Sequence, residues 1–147
     1  MNILDTTAIN YILKSDVLLN ATYFITPDIE DEALAAEIAL NKKMSPVIKN
    51  IINENFFNEV EYIKNYFYVL NKYGGRSFFN MTGFGDISII SLAKTLVGTI
   101  KNSQQAPLPG LEDEVIIYLS DVSLRSKIIK EVGGQVKLFA PEDISSQ

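Results

Sequence analysis

Val115-Ile116-Ile117-Tyr118-Leu119, followed at once by Ser120-Asp121, is the stretch whose reading decides the fold. It is a short run of β-branched and aromatic residues, preceded by a Pro/Gly-rich polar segment and ended by an acid. That pattern predicts a buried strand. Residues Asp121 to Val132 then read as a helix ending at Gly133-Gly134, and Val136 to Phe139 as a last strand. A strand, a helix and a second strand in this order imply a parallel crossover.

The same alternation continues toward the N-terminus. Residues 2–5 read as a short buried strand, and Thr6-Thr7-Ala8 leads into a helical segment from Ala8 to Leu13. A second extended stretch, Ala21 to Thr26, stops at Pro27. Pro27-Asp28 is a helix start, with proline in the first turn and an acid favoured by the helix dipole. Ile29 to Asn41, rich in Ala, Leu and Glu, is predicted helical. Pro46 opens a long segment, Val47 to Tyr73. Its residues Ile48, Ile52, Phe56, Val60, Ile63, Phe67 and Leu70 recur at three- and four-residue steps, predicting one or two amphipathic helices closed by Gly74-Gly75.

Phe57, Tyr62, Tyr66 and Tyr68 lie off that stripe, as surface tyrosines, a dimer face or a base-stacking surface. After Phe78-Phe79-Asn80 comes a turn-rich passage, Thr82 to Gly85, then a helix from Asp86 to Val97. Residues 102–114 have the composition of a loop. The expectation is one domain over residues 1–147: a three-layer α/β/α fold on a central, mainly parallel sheet.

Composition narrows the chemistry. The 147 residues include no cysteine and no histidine, which removes disulfides, thiolate zinc sites and triads built on histidine. Any catalysis must use carboxylates, lysines, tyrosines or a metal-activated water. Thirteen basic and 18 acidic residues give a net charge of −5, which argues against strong nonspecific binding to nucleic acid. The only arginines are Arg76 and Arg125. No signal-like segment precedes Asn2-Ile3-Leu4, and no apolar run approaches the ~20 residues needed to cross a membrane. A cytoplasmic protein without a membrane partner is expected.

Four acids stand beside the predicted elements. Asp5 follows the first strand, Asp121 follows Val115–Leu119, and Glu32 and Asp86 fall in the first turns of helices. In a parallel α/β sheet those positions lie beyond the carboxyl ends of the strands, where ligands bind. Clustered carboxylates repel one another unless a cation fills the space between them. An oxygen-only pocket suits Mg²⁺ or Mn²⁺, which can activate water for attack on a phosphodiester. Each acid also has a structural use. Asp5, Asp86 and Asp121 can cap or charge the helices they precede, and Glu32 belongs to the acidic run Asp28, Glu30, Asp31, Glu32.

Ile3-Leu4-Asp5-Thr6-Thr7-Ala8, Thr26 to Glu32, Gly85 to Ala93 and Val115 to Leu124 occur in the order seen in PIN-domain nucleases, which the chain resembles over nearly its whole length. Val136 to Asp143 is similar to that family's last strand and acidic turn. The resemblance implies a Mg²⁺- or Mn²⁺-dependent endoribonuclease. It implies Asp5, Glu32, Asp86 and Asp121 as metal-binding and catalytic acids, with Asp31 the alternative to Glu32. It also implies Thr7 as the hydroxyl that orients Asp5 or the water.

Lys94, Lys101, Arg125 and Lys127 flank the third and fourth motifs as contacts for RNA phosphates or as ordinary surface cations. Leu119 stands where many members have threonine, and Ser123 where some have a further acid. These departures leave open a catalytically degenerate module that binds RNA or a protein. Two branches fit: toxins, usually dimeric and restrained by a small antitoxin, and ribosomal-RNA-processing proteins.

Overall fold

A computed structural model describes residues 1–55, 57–74, 83–102 and 114–146. Within them the chain runs β1 (Asn2–Leu4), α1 (Thr6–Ser15), β2 (Tyr23–Ile25), α2 (Pro27–Leu40) and β3 (Ile48–Asn50). A 3₁₀ turn (Ile51–Glu54) leads to α3 (Glu59–Tyr73) and α4 (Phe84–Asn102), followed by β4 (Val115–Tyr118), α5 (Val122–Val132) and β5 (Val136–Phe139). A second 3₁₀ turn, Pro141–Ser146, follows β5.

The five strands form one sheet in the order β3-β2-β1-β4-β5, and every pairing is parallel. The expected three-layer α/β/α architecture is what the chain adopts. From β1 the chain steps outward through β2 to β3, then jumps back across β1 to β4 and β5. Right-handed crossovers put α1 and α2 on one face and α3, α4 and α5 on the other. The buried side chains form one cluster. Ile3, Leu4, Ile117 and Tyr118 sit at its centre, on the paired strands β1 and β4.

Helix α4 is buried along most of its length, and its polar residues are accommodated inside the helix. The hydroxyls of Ser91, Thr95 and Thr99 each donate to the carbonyl four residues earlier, at 2.6, 2.7 and 2.9 Å. Such back-bonding satisfies a buried hydroxyl without a partner from another element. Thr95 also accepts from Asn65 Nδ2 at 2.9 Å, which fastens α3 to α4.

The segment from Val47 to Tyr73 departs from expectation. Its start is not helical: Ile48–Asn50 pairs with β2 as an edge strand, and α3 begins only at Glu59. Three asparagines explain the change. Asn50 caps the 3₁₀ turn, Asn55 takes a left-handed conformation at φ 57°, and Asn58 caps α3. The helical period of α3 is as read, but its phase is not. Tyr62 and Val69 are buried, whereas Val60, Ile63 and Phe67 are exposed, at 57, 50 and 60 %. Tyr62 packs between Phe57 and Tyr66, so these aromatics are core rather than additional surface.

Smaller differences are at helix ends. α1, α2 and α4 extend beyond the predicted Ala8–Leu13, Ile29–Asn41 and Asp86–Val97 at one or both ends. Phe56, Gly75, Arg76, Phe78-Phe79-Asn80, Thr82 and most of the 102–114 loop lie outside the described residues. Among the described residues no helix is long and apolar enough to cross a membrane.

Ile117 is fully buried on the strand that pairs with both β1 and β5. Ile117→Ala is expected to cost about 2–5 kcal/mol in urea unfolding. A loss below about 1 kcal/mol would mean the centre of the sheet is not packed as described.

Candidate functional site

The strand order reverses between β1 and β4. The chain leaving β1 turns to one face of the sheet and the chain leaving β4 turns to the other, which opens a crevice between them. Asp5 and Asp121 are on its two sides. The Asp5 N–H donates to the Tyr118 carbonyl at 3.2 Å, and the Ser120 N–H donates to Thr7 Oγ1 at 3.2 Å. The two loops are therefore bonded to each other.

Asp5 is 3 % exposed and caps α1 through the Ala8 N–H, at 2.9 Å to Oδ1. The Thr7 hydroxyl donates to the same oxygen at 2.6 Å. Burial pushes the Asp5 pKa up, the bonds from Thr7 and Ala8 oppose that rise, and the charge of Asp121 adds to it. Asp121 is exposed and caps α5, accepting from the Leu124 N–H at 3.1 Å.

Glu32 arrives from α2. The Thr6 hydroxyl donates to its Oε2, and both carboxylate oxygens lie against Gly85. A Cβ at position 85 would stand 2.7 Å from each of those oxygens, so only glycine permits this approach. Thr26 and Ser88 keep α2 and α4 together beside it: their buried hydroxyls are 2.7 Å apart, and Ser88 donates to the Gly85 carbonyl at 2.6 Å.

Asp86 follows Gly85 in the first turn of α4 and is half-buried. Its pKa is pushed up to about 6, first by burial and then by the charges of Asp121, Asp5 and Glu32, with Lys127 acting in the opposite direction. The four predicted acids thus share one electrostatic environment, and Glu32 rather than Asp31 is the member of its pair at the crevice. In kind, this donor set suits a hard divalent cation. In placement it is looser: among the described residues no group of three or more acidic side chains stands in a metal-holding arrangement. Comparison with family models, with curated proteins and with solved structures found no match.

The predicted cations divide. Lys127 is beside the acids, as its effect on Asp86 indicates. Arg125 is committed to the sheet, donating to the carbonyls of Leu138 at 3.3 Å and Leu119 at 3.5 Å. Lys94 is bound to Glu131 at 3.4 Å and lies 4.6 Å from the Tyr68 ring centroid. Lys101 is in the last turn of α4, about 22 Å along the axis from Asp86 at the helical rise, and does not join the site. Leu119 is fully buried and its N–H donates to the Phe139 carbonyl, so that position supplies packing. Thr6, Gly85, Thr26 and Ser88 went unnoticed in the sequence. The signals available were the second hydroxyl in Asp5-Thr6-Thr7 and the glycine immediately before Asp86.

Unfolded, Asp86 ionises near 3.8; folded, it keeps its proton to about 6. Between those values the folded state binds more protons, so stability falls as pH rises through that window and stays lower above it. In EDTA, Asp86→Asn is expected to melt a few degrees above wild type at pH 7 and to converge with it near pH 4. Equal melting temperatures at pH 7 would show that the Asp86 charge is not strained.

Proposed function

We propose that this chain is a metal-dependent endoribonuclease of the PIN type. One observation carries the reading: four acids from four separate segments meet where β1 and β4 part, and Asp86 is under the charge of the other three. Asp5, Asp86 and Asp121 would hold Mg²⁺ or Mn²⁺, with Glu32 as a further ligand directly or through water. Bound there, the ion would relieve the repulsion and activate a water toward the phosphodiester phosphorus.

The protein's own groups prepare that site. Thr7 fixes the Asp5 carboxylate, and Thr6 holds Glu32 against Gly85. Above pH 6 Asp86 gives up its proton, so at neutral pH a cation does not have to displace one. Lys127 offers a positive charge to the phosphate beside the acids. An antitoxin, or a second copy of the chain, would cover the exposed Val60, Ile63 and Phe67 of α3. A cytoplasmic location accompanies this role.

A second reading keeps the fold without the chemistry: a non-catalytic module that binds RNA or a protein partner. The observation favouring it is that Asp5 and Asp121 already serve as helix caps, with no three acids in a metal-holding arrangement.

Calorimetric titration with Mn²⁺, followed by cleavage of single-stranded RNA, separates the two. Wild type is expected to bind, and Asp5→Asn and Asp86→Asn to lose affinity by at least the roughly 10–100-fold that removal of an outer-shell partner costs. Hydrolysis should fall with affinity. Folded wild type that takes up no Mn²⁺ would overturn the nuclease reading in favour of the second.

A further inference from the structure

Beside the acids, α3, α4 and α5 meet around a second group of charges. The Glu131 side chain is only 3 % exposed. It accepts from Lys72 Nζ at 2.7 Å, from Lys94 Nζ at 3.4 Å and from the Tyr73 hydroxyl. Burial disfavours its ionised form, but the bonds from Lys72, Tyr73 and Lys94 prevail and bring its pKa down to about 2. Two tyrosine rings complete the group. Lys72 Nζ lies 5.5 Å from the centroids of both Tyr68 and Tyr73, Lys94 Nζ 4.6 Å from Tyr68, and Lys127 Nζ 5.8 Å from Tyr73.

A single lysine would neutralise Glu131. Three ammonium groups around one carboxylate leave an excess of two positive charges, in a chain whose net charge is −5. The carboxylate is buried while the Lys72 side chain is 35 % exposed and Tyr68 46 % exposed, so the outer surface of the group is cationic and aromatic. Lys127 connects it to the crevice: its ammonium faces the Tyr73 ring, and its charge is felt by Asp86.

We propose that Lys72, Lys127 and Tyr68 form a track for single-stranded RNA leading away from the acidic crevice. Phosphates rest on the two lysines and a base stacks on Tyr68. Glu131 is a positioning residue that holds Lys72, Lys94 and Tyr73 in place. An unpaired strand is the occupant this surface fits, because it offers phosphates at close intervals together with open base faces, whereas a duplex keeps its bases stacked inside. The proposal rests on the endoribonuclease reading and adds where the substrate lies.

Fluorescence anisotropy with a labelled 12-nucleotide single-stranded RNA in EDTA, where cleavage is silent, tests it on the full chain. Lys72→Ala and Lys127→Ala are each expected to flatten the log–log salt dependence of binding by about 0.7, the value for one phosphate contact on a single strand. Tyr68→Ser is expected to weaken binding about tenfold and to remove the preference for a base-bearing over an abasic strand. Glu131→Gln should lose that preference while keeping the salt slope, since every lysine remains. Lys72 and Tyr68 are exposed enough that their variants should fold even where Glu131→Gln does not.

Variants that bind like wild type would overturn the track, as would polyglutamate binding as tightly as RNA at equal ionic strength. Mn²⁺ uptake without RNA binding removes the track and leaves the metal reading in place. RNA binding with the expected losses, but no Mn²⁺ uptake, sustains the track and removes hydrolysis.

Discussion

The parallel pairing of β1 with β4 governs this molecule. The two strands are far apart in sequence and adjacent in the sheet, and the chain leaves them toward opposite faces. No loop fills the gap above a pair that diverges in this way, so whatever follows each strand lines a crevice. Here both strands are followed closely by an aspartate, Asp5 directly and Asp121 after Leu119-Ser120. The hydrogen bonds from Asp5 N–H to the Tyr118 carbonyl and from Ser120 N–H to Thr7 then set the width of the opening.

A crevice lined with carboxylates needs support of its own. α1, α2, α4 and α5 all begin at this edge of the sheet, and helix N-termini favour negative charge by about 0.3–1 kcal/mol each where exposed. Asp5 and Asp121 gain directly, as caps. Glu32 is held by Thr6, and Asp86 has Lys127 nearby. Capping and ligation are therefore not rival uses of these acids. Each bond described engages one carboxylate oxygen, Oδ1 of Asp5, Oδ1 of Asp121 and Oε2 of Glu32, and a carboxylate carries two. Asp86, whose pKa carries the combined repulsion, shows where the compensation stops short.

How much of this was legible follows from how local each signal is. β4 and β5 with the helix between them could be read because five consecutive apolar residues and a pair of glycines state their own structure. The four acids could be placed at one edge because parallel topology puts every strand's carboxyl end on the same side. β3 could not: Ile48 and Ile52 are four apart, which matches a helix, and the strand exists only because β2 offers it an edge. Nor could the phase of α3, where Val60, Ile63 and Phe67 are more apolar than Tyr62 and Tyr66, yet the tyrosines face α2 and the core. Tertiary packing chose the face whose rings fit, and hydropathy alone does not encode that. The contact of Glu32 with Gly85 joins residues 53 positions apart and leaves only a glycine as its trace.

The distribution of charge ties these parts together. A net charge of −5 argues against a polyanionic partner only if the charge is spread evenly, and it is not. Three lysines gather around the buried Glu131, while the acids concentrate at the crevice, with Lys127 at the boundary between them. A buried carboxylate would ordinarily give up its charge, and Glu131 keeps it because the lysines supply hydrogen bonds along with their field. Their own freedom is reduced in return, so the cations are held at fixed positions on the helices before any ligand arrives. An anion meeting that surface faces less ordering cost than one meeting mobile lysines. The same electrostatics that leaves Asp86 strained at the crevice thus finds its counterweight one helix turn or so away along α5, between Lys127 and Glu131.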